Sequence, residues 1–164
     1  MGHFRAYDEG DLAARTARPA GTPDEDAPLP AGTAVWLSEW QLSEIGLDVG
    51  VGDEVSWTLV PADAAWTGRL FGERRTIERQ LDLYAGLPGE RSDWSEVAGC
   101  VVGVEVVRCP RELSHEPGEG WMPVPGRAWT TRVDRTGQLR GVVDPAVCGF
   151  IAHVRGSSSP PQAE

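Results

Sequence analysis

Two runs, residues 34–41 and 54–60, are patterned like strands, and the second alternates apolar and polar positions with the period of two that marks a half-buried strand. In residues 54–60, Val55, Trp57 and Leu59 share one face and Ser56 and Thr58 the other. Residues 34–41 read as the strand before it, with Val35, Leu37 and Glu39 on one side and Trp36, Ser38 and Trp40 opposite. The Gly50-Val51-Gly52-Asp53 stretch supplies the permissive backbone of a turn between them. The spacing then changes. In residues 61–72, Ala62, Trp66 and Leu70 recur at helical intervals, Pro61 suits a first turn and Gly72 a stop, so one short helix is predicted.

Residues 76–84 fit both periods, and their shortness and Thr-Ile opening favour a strand. Residues 97–109, VAGCVVGVEVVRC, are valine-rich and predict a long strand, with bulges or bends at Gly99 and Gly103. Residues 121–126 carry two prolines and suit an extended edge. Residues 128–133 and 138–143 flank Asp134-Arg135-Thr136-Gly137 and predict a hairpin, and residues 147–155 form a last strand. Six or seven strands with one helix, and no alternation of strands with helices, predict a mainly β fold. A single curled antiparallel sheet or small β-barrel follows, since closure removes exposed edges. Residues 1–32 hold four prolines of the Pro19–Pro30 run among Gly, Ala and acids, and predict a disordered acidic tail. Residues 33–155 then form the domain and residues 156–164, GSSSPPQAE, a second disordered tail.

Composition changes this picture little. A chain of 164 residues has the length of one domain and, burying about two-thirds of its unfolded surface, needs neither metal nor disulfide to fold. All 15 basic residues are arginine, as GC-rich coding would produce. The net charge of −10 opposes general attraction to phosphate backbones, although residues 127–140 bring four arginines together against Asp134 alone. Three cysteines cannot form a paired framework, and no apolar run has the length of a leader or a membrane span. A reducing cytoplasm is the expected compartment, with no membrane contact.

The pattern Val35-Trp36-Leu37-x-x-Trp40-Gln41 followed by Val51-Gly52-Asp53-Glu54-Val55-x-Trp57-x-Leu59 resembles a family of small actinobacterial proteins known only as a domain of unknown function. The resemblance continues through Asp63-x-x-Trp66, the valine strand to Cys109, Pro123-Val124-Pro125-Gly126 and Gly149-Phe150-Ile151. It implies a compact domain, an actinobacterial origin and no assigned activity. In that family two adjacent cysteines often follow the Trp-Gln pair. Here the stretch reads Leu42-Ser43-Glu44-Ile45-Gly46, so no thiol or metal role centred there carries over.

No catalytic motif stands out. Cys100, Cys109, Cys148, His115 and His153 lack paired Cys-x-x-Cys spacing, and on a regular strand Cys148 and His153 point to opposite faces. Ser114-His115-Glu116 is a tempting trio, but neighbours in sequence rarely face one another. The Gly46–Gly52 run lacks the Lys-Ser/Thr of a phosphate loop and precedes a strand. The expectation is therefore a non-enzymatic interaction module without metal or cofactor. Its partner would be a protein or a second copy, drawn by an acidic turn at residues 48–54 and a basic hairpin at residues 127–140 on different surfaces. Candidate binding residues are Trp36, Trp40, Trp121, Trp129, Arg127, Arg132, Arg135 and Arg140. Two alternatives stand beside it: a single-stranded nucleic-acid binder using exposed Trp and Arg, and a small-molecule binder or enzyme with a pocket in the barrel mouth.

Overall fold

In the computed structural model, residues 32–82, 93–139 and 144–159 are described. The expected N-terminal tail up to residue 31, most of the loop at 86–95, Arg140 and residues 160–164 lie outside them. In chain order the elements are β1 (Thr33–Ser38), α1 (Glu39–Ile45), β2 (Glu54–Pro61), α2 (Ala64–Phe71), β3 (Arg79–Leu81), β4 (Ser95–Arg108), β5 (Arg111–Leu113), β6 (Trp121–Pro123), β7 (Trp129–Val133), a 3-10 turn (Thr136–Leu139) and β8 (Val147–Ser159). The main sheet has the order β2-β3-β1-β8-β4-β7, and a further pairing of β2 with β4 closes five of its strands into a barrel. Only β1 and β3 run parallel among the barrel pairs, so the barrel is mixed rather than wholly antiparallel.

Long β4 organises this closure. Its first half pairs with β2 and its second half with β7 along one side, while β8 lines the other. A register shift between Val101 and Gly103 moves the inward positions of β4 from Val97 and Val101 to Val104 and Val106. One inserted residue flips the pleat and bends the strand, as expected of a bulge. Further along, Gly99 of β4 lies opposite Gly156 of β8, and a Cβ on either would strike the backbone of the other strand. β8 therefore continues pairing through residues 156–159, which composition placed in a tail.

Two cores result, one inside the barrel and one outside. Val35, Leu37, Leu59, Val97, Val104, Phe150 and Val154 pack the interior, with Val55 and Trp57 against them, as the alternation of β1 and β2 predicts. The outer core joins Trp36, Val107 and Ile151 of the barrel wall to Leu70 and Phe71 of α2 and to Ile77. The predicted helix is thus a cover for Trp36. Hydrogen bonds fasten it: Gly126 N donates to Arg69 O at 2.7 Å, Ala128 N to Leu70 O at 3.0 Å, and Arg74 Nη2 to Ala128 O at 2.7 Å.

Two elements differ from the expectation. Strand β1 stops at Ser38, and α1 begins where the strand was expected to continue through Gln41. Ser38 Oγ accepts from Gln41 N at 3.2 Å and Gln41 Oε1 accepts from Ser38 N at 3.1 Å, a reciprocal capping box, and Gly46 ends the helix in a left-handed conformation. Nor do residues 138–139 return along β7. Thr136 N donates to Val49 O at 2.8 Å and Thr136 Oγ1 accepts from Val49 N at 3.0 Å, while Val133 is paired with Val104. These long-range bonds hold residues 136–139 against the β1–β2 connection, where they tighten into the 3-10 turn.

Candidate functional site

The eight candidate binding residues do not converge on one surface. Trp36 and Trp129 are buried in the outer wall and beside it, so neither faces solvent. Trp129, as the first residue of β7 and paired with Arg108, is built into the sheet. Trp40 is half-exposed on α1, and Arg127 and Arg132 are exposed. Arg140 lies outside the described residues.

Arg135 is committed to the acidic turn. Its Nη2 donates to Asp53 Oδ2 at 3.0 Å and its Nε reaches Asp48 Oδ1 at 3.4 Å. Asp53 Oδ2 also accepts from Gly50 N at 2.9 Å, and this backbone bond, together with the guanidinium, lowers the Asp53 carboxyl pKa. The expected separation of an acidic turn from a basic segment is therefore corrected. The two meet and neutralise each other in part, because the 136–139 turn is anchored on residues 48–50.

On the hairpin formed by β5 and β6, Leu113 stands directly opposite Trp121. Both are large and apolar, and they are 60% and 52% exposed. Glu112, Glu116 and Glu119 lie on the same hairpin and its loop. Ser114 Oγ donates to Glu119 Oε2 at 2.7 Å and accepts from Glu116 N at 3.1 Å, so the hydroxyl is engaged within the loop rather than forming a relay with His115.

Among the described residues a buried cluster of charged side chains lies beneath the segment linking α2 to β3. Glu105 and His153 are 3% and 2% exposed, on adjacent strands and on the outer wall. Arg75 donates twice to the Glu105 carboxylate, at 3.0 Å to Oε1 and 2.7 Å to Oε2. His153 Nε2 lies 2.6 Å from the same Oε2. Burial alone would raise the Glu105 pKa, but the hydrogen bonds from His153 and Arg75 outweigh it and hold the carboxyl at about 2. An ionised carboxylate has no proton to give, so the 2.6 Å contact requires Nε2–H to donate to it. The cluster is closed and mutually satisfied, and its geometry is that of a clasp.

The cysteines are free, and burial pushes the Cys148 thiol up to about 12 and raises Cys109 as well. The shift that skips Cys148 in the pairing of Val107 and Arg108 with Gly149 and Val147 places Cys148 in the outer core with Ile151. Cys148 and His153 thus lie on the same side of β8, contrary to the simple odd-step expectation. Even so, no three His, Cys, Asp or Glu side chains gather into a possible metal site among the described residues.

At one end of the barrel a cleft of about 210 Å³ opens between α1, the 3-10 turn and the start of β8. Leu42, Leu47, Leu139, Val147 and Phe150 line it, and all five also contribute to or pack on the interior core. Glu39, Ser43 and Asp144 border it. Asp144 is held by Arg108 Nε at 2.9 Å and accepts from Ala146 N at 3.0 Å.

Sequence reasoning singled out His153 but not its partners. Glu105, a lone charge within a valine run, is the visible signal, since a charge inside a buried strand requires a partner. No described helix is long and apolar enough to cross a membrane. No curated protein and no solved structure was found to match the chain. A match to the family of unknown function DUF6578 spans residues 31–154, covering both helices and the barrel up to Val154 of β8, and the chain belongs to that family.

Proposed function

We propose that this domain works by docking a protein partner rather than by catalysis. The observation that carries the reading is the Leu113–Trp121 pair, two apolar side chains in register on a hairpin outside the barrel, each more than half exposed. Tryptophan supplies a large contact area at low entropic cost and is enriched among residues that dominate binding energy. Glu112, Glu116 and Glu119 around the pair favour a partner with an apolar anchor and basic flanks. The buried free thiols and all-arginine composition support a reducing, cytoplasmic setting in a GC-rich, actinobacterial host.

Nucleic-acid binding is the weaker alternative. It needs Trp and Arg on one open face, whereas Trp36 and Trp129 are buried and Arg135 is bound to Asp48 and Asp53. The test compares the full chain with a Leu113→Ser/Trp121→Ser double variant in affinity capture and sedimentation. The expected result is a protein retained by the wild type at low salt, weakened at high salt and lost from the folded double variant. The same set of proteins, or the same self-association, with both chains would overturn the reading.

A further inference from the structure

The geometry points to a binding site for a single copper(I) ion between Cys109 and Cys148 in the outer core, with Arg111 balancing its charge. The strand register brings the two thiols together. Val147 of β8 lies opposite Arg108 and Gly149 opposite Val107, so Cys148 is the extra residue of a bulge, next to the position that Cys109 follows. Both side chains belong to the outer core. Cys109 N donates to Ala146 O at 2.9 Å, and Cys148 Sγ donates to the same oxygen at 3.3 Å. Arg111 reaches this place through Nη2, which donates to Val147 O at 3.4 Å. Burial is the chief cause of the raised Cys148 pKa. Beyond burial, the Arg111 charge lowers it, Cys109 raises it and a hydrogen bond from Arg111 lowers it, so the three groups feel one another.

Two features select the ion. The donors are a pair of thiols, and no third His, Cys, Asp or Glu joins them among the described residues. Structural zinc and iron–sulfur clusters would lack their remaining ligands there. Copper(I) prefers soft sulfur donors and is satisfied by two thiolates in a line. The second feature is Arg111 Nε, which is buried and has no hydrogen-bond partner while the thiols are protonated. A buried donor without an acceptor is costly and rare. As copper(I) enters, both S–H bonds break, their protons leave to solvent and two Cu–S bonds form with no change of oxidation state. Two thiolates and one monovalent cation leave one negative charge, which gives the Arg111 guanidinium both a counter-charge and a sulfur acceptor. The site uses neither Leu113 nor Trp121, so it stands or falls apart from the docking surface.

The test titrates the reduced, full-length protein, without oxygen, with copper(I) held by the competing chelator bicinchoninate. It reads the copper transferred to the chain and, by X-ray absorption, the neighbours of the bound ion. The expected result is one copper per chain with two sulfur neighbours. Cys109→Ala and Cys148→Ala should each lose it, while Cys100→Ala, outside the outer core, should keep it. Arg111→Met keeps both thiols but removes the charge, and should weaken binding by about tenfold or more, the worth of a hydrogen bond to a charged group. Circular dichroism checks that each variant is folded, and the sulfur count in the unaltered chain decides independently of them. Transfer of less than half an equivalent, a single sulfur neighbour, full binding by a folded Cys109→Ala or Cys148→Ala chain, loss in Cys100→Ala or undiminished affinity in Arg111→Met would each overturn the proposal.

Discussion

Glu105 holds one end of the outer layer in place by accepting three short bonds, two from Arg75 and one from His153. Removing one partner of a buried ion pair leaves the others charged or polar without compensation, which typically costs about 3–5 kcal/mol. Glu105→Ala should lose roughly that much, measured by urea denaturation. The pH dependence has a definite sign. Folded Glu105 takes a proton only near pH 2, while in the unfolded chain it does so near its usual 4.5. Its contribution is therefore fully present above about pH 4.5 and lost as pH falls towards 2, a drop of roughly 3 kcal/mol. Glu105→Gln should flatten the stability profile across that window, and a variant retaining the wild-type slope would refute the assignment. The charge of Glu105 within apolar sequence was legible. Its partners were not, because Arg75 is 30 residues away and His153 is 48.

Helix α1 has only seven residues and would be marginal alone, so its ends carry much of its definition. The Ser38–Gln41 capping box and Gly46 delimit it, and Gln41 Nε2 also donates to Leu81 O at 2.8 Å, tying the helix to β3. Ser38→Ala should lower stability by about 1 kcal/mol with no change in the denaturant slope. An unchanged midpoint would show that the cap does not matter. Ser-x-x-Gln was present in the sequence as a helix-start signature, but the Trp36/Trp40 alternation pointed to a continuing strand. The cap prevails because it satisfies two backbone N–H groups locally, and the turn it starts swings Leu42 onto the barrel interior. Helix α2 had clearer marks, and its spacing of Trp66 and Leu70 anticipated the face it lays over the barrel wall.

For the whole molecule, closure makes β4 and β8 the shared wall of both cores, with the longest pairing in the fold. Their amides at residues 104–106 and 150–154 should exchange slowest with solvent, while those of the three-residue β5–β6 hairpin should exchange many times faster. Equal protection of hairpin and barrel in native-state hydrogen exchange would contradict this ordering. The same division bears on function. The rigid wall contains the satisfied Arg75–Glu105–His153 clasp, whereas Leu113 and Trp121 on the hairpin are exposed and the barrel end opens into the cleft.

Alternation, glycine placement and valine content determined by themselves that this chain forms strands, which faces of β1 and β2 turn inward, and where a covering helix falls. Those signals are local, because a pleat repeats every two residues whatever lies beside it. Tertiary structure decided the rest. Burial of Trp36 depends on α2 arriving over the wall, the path of residues 134–139 on hydrogen bonds to Val49, and the quenching of Arg135 on two acids more than 80 residues earlier. The cleft likewise exists only because α1, the 3-10 turn and β8 meet at one end of the closed barrel. Such meetings join residues whose separation along the chain carries no periodic trace, so only the folded arrangement contains them.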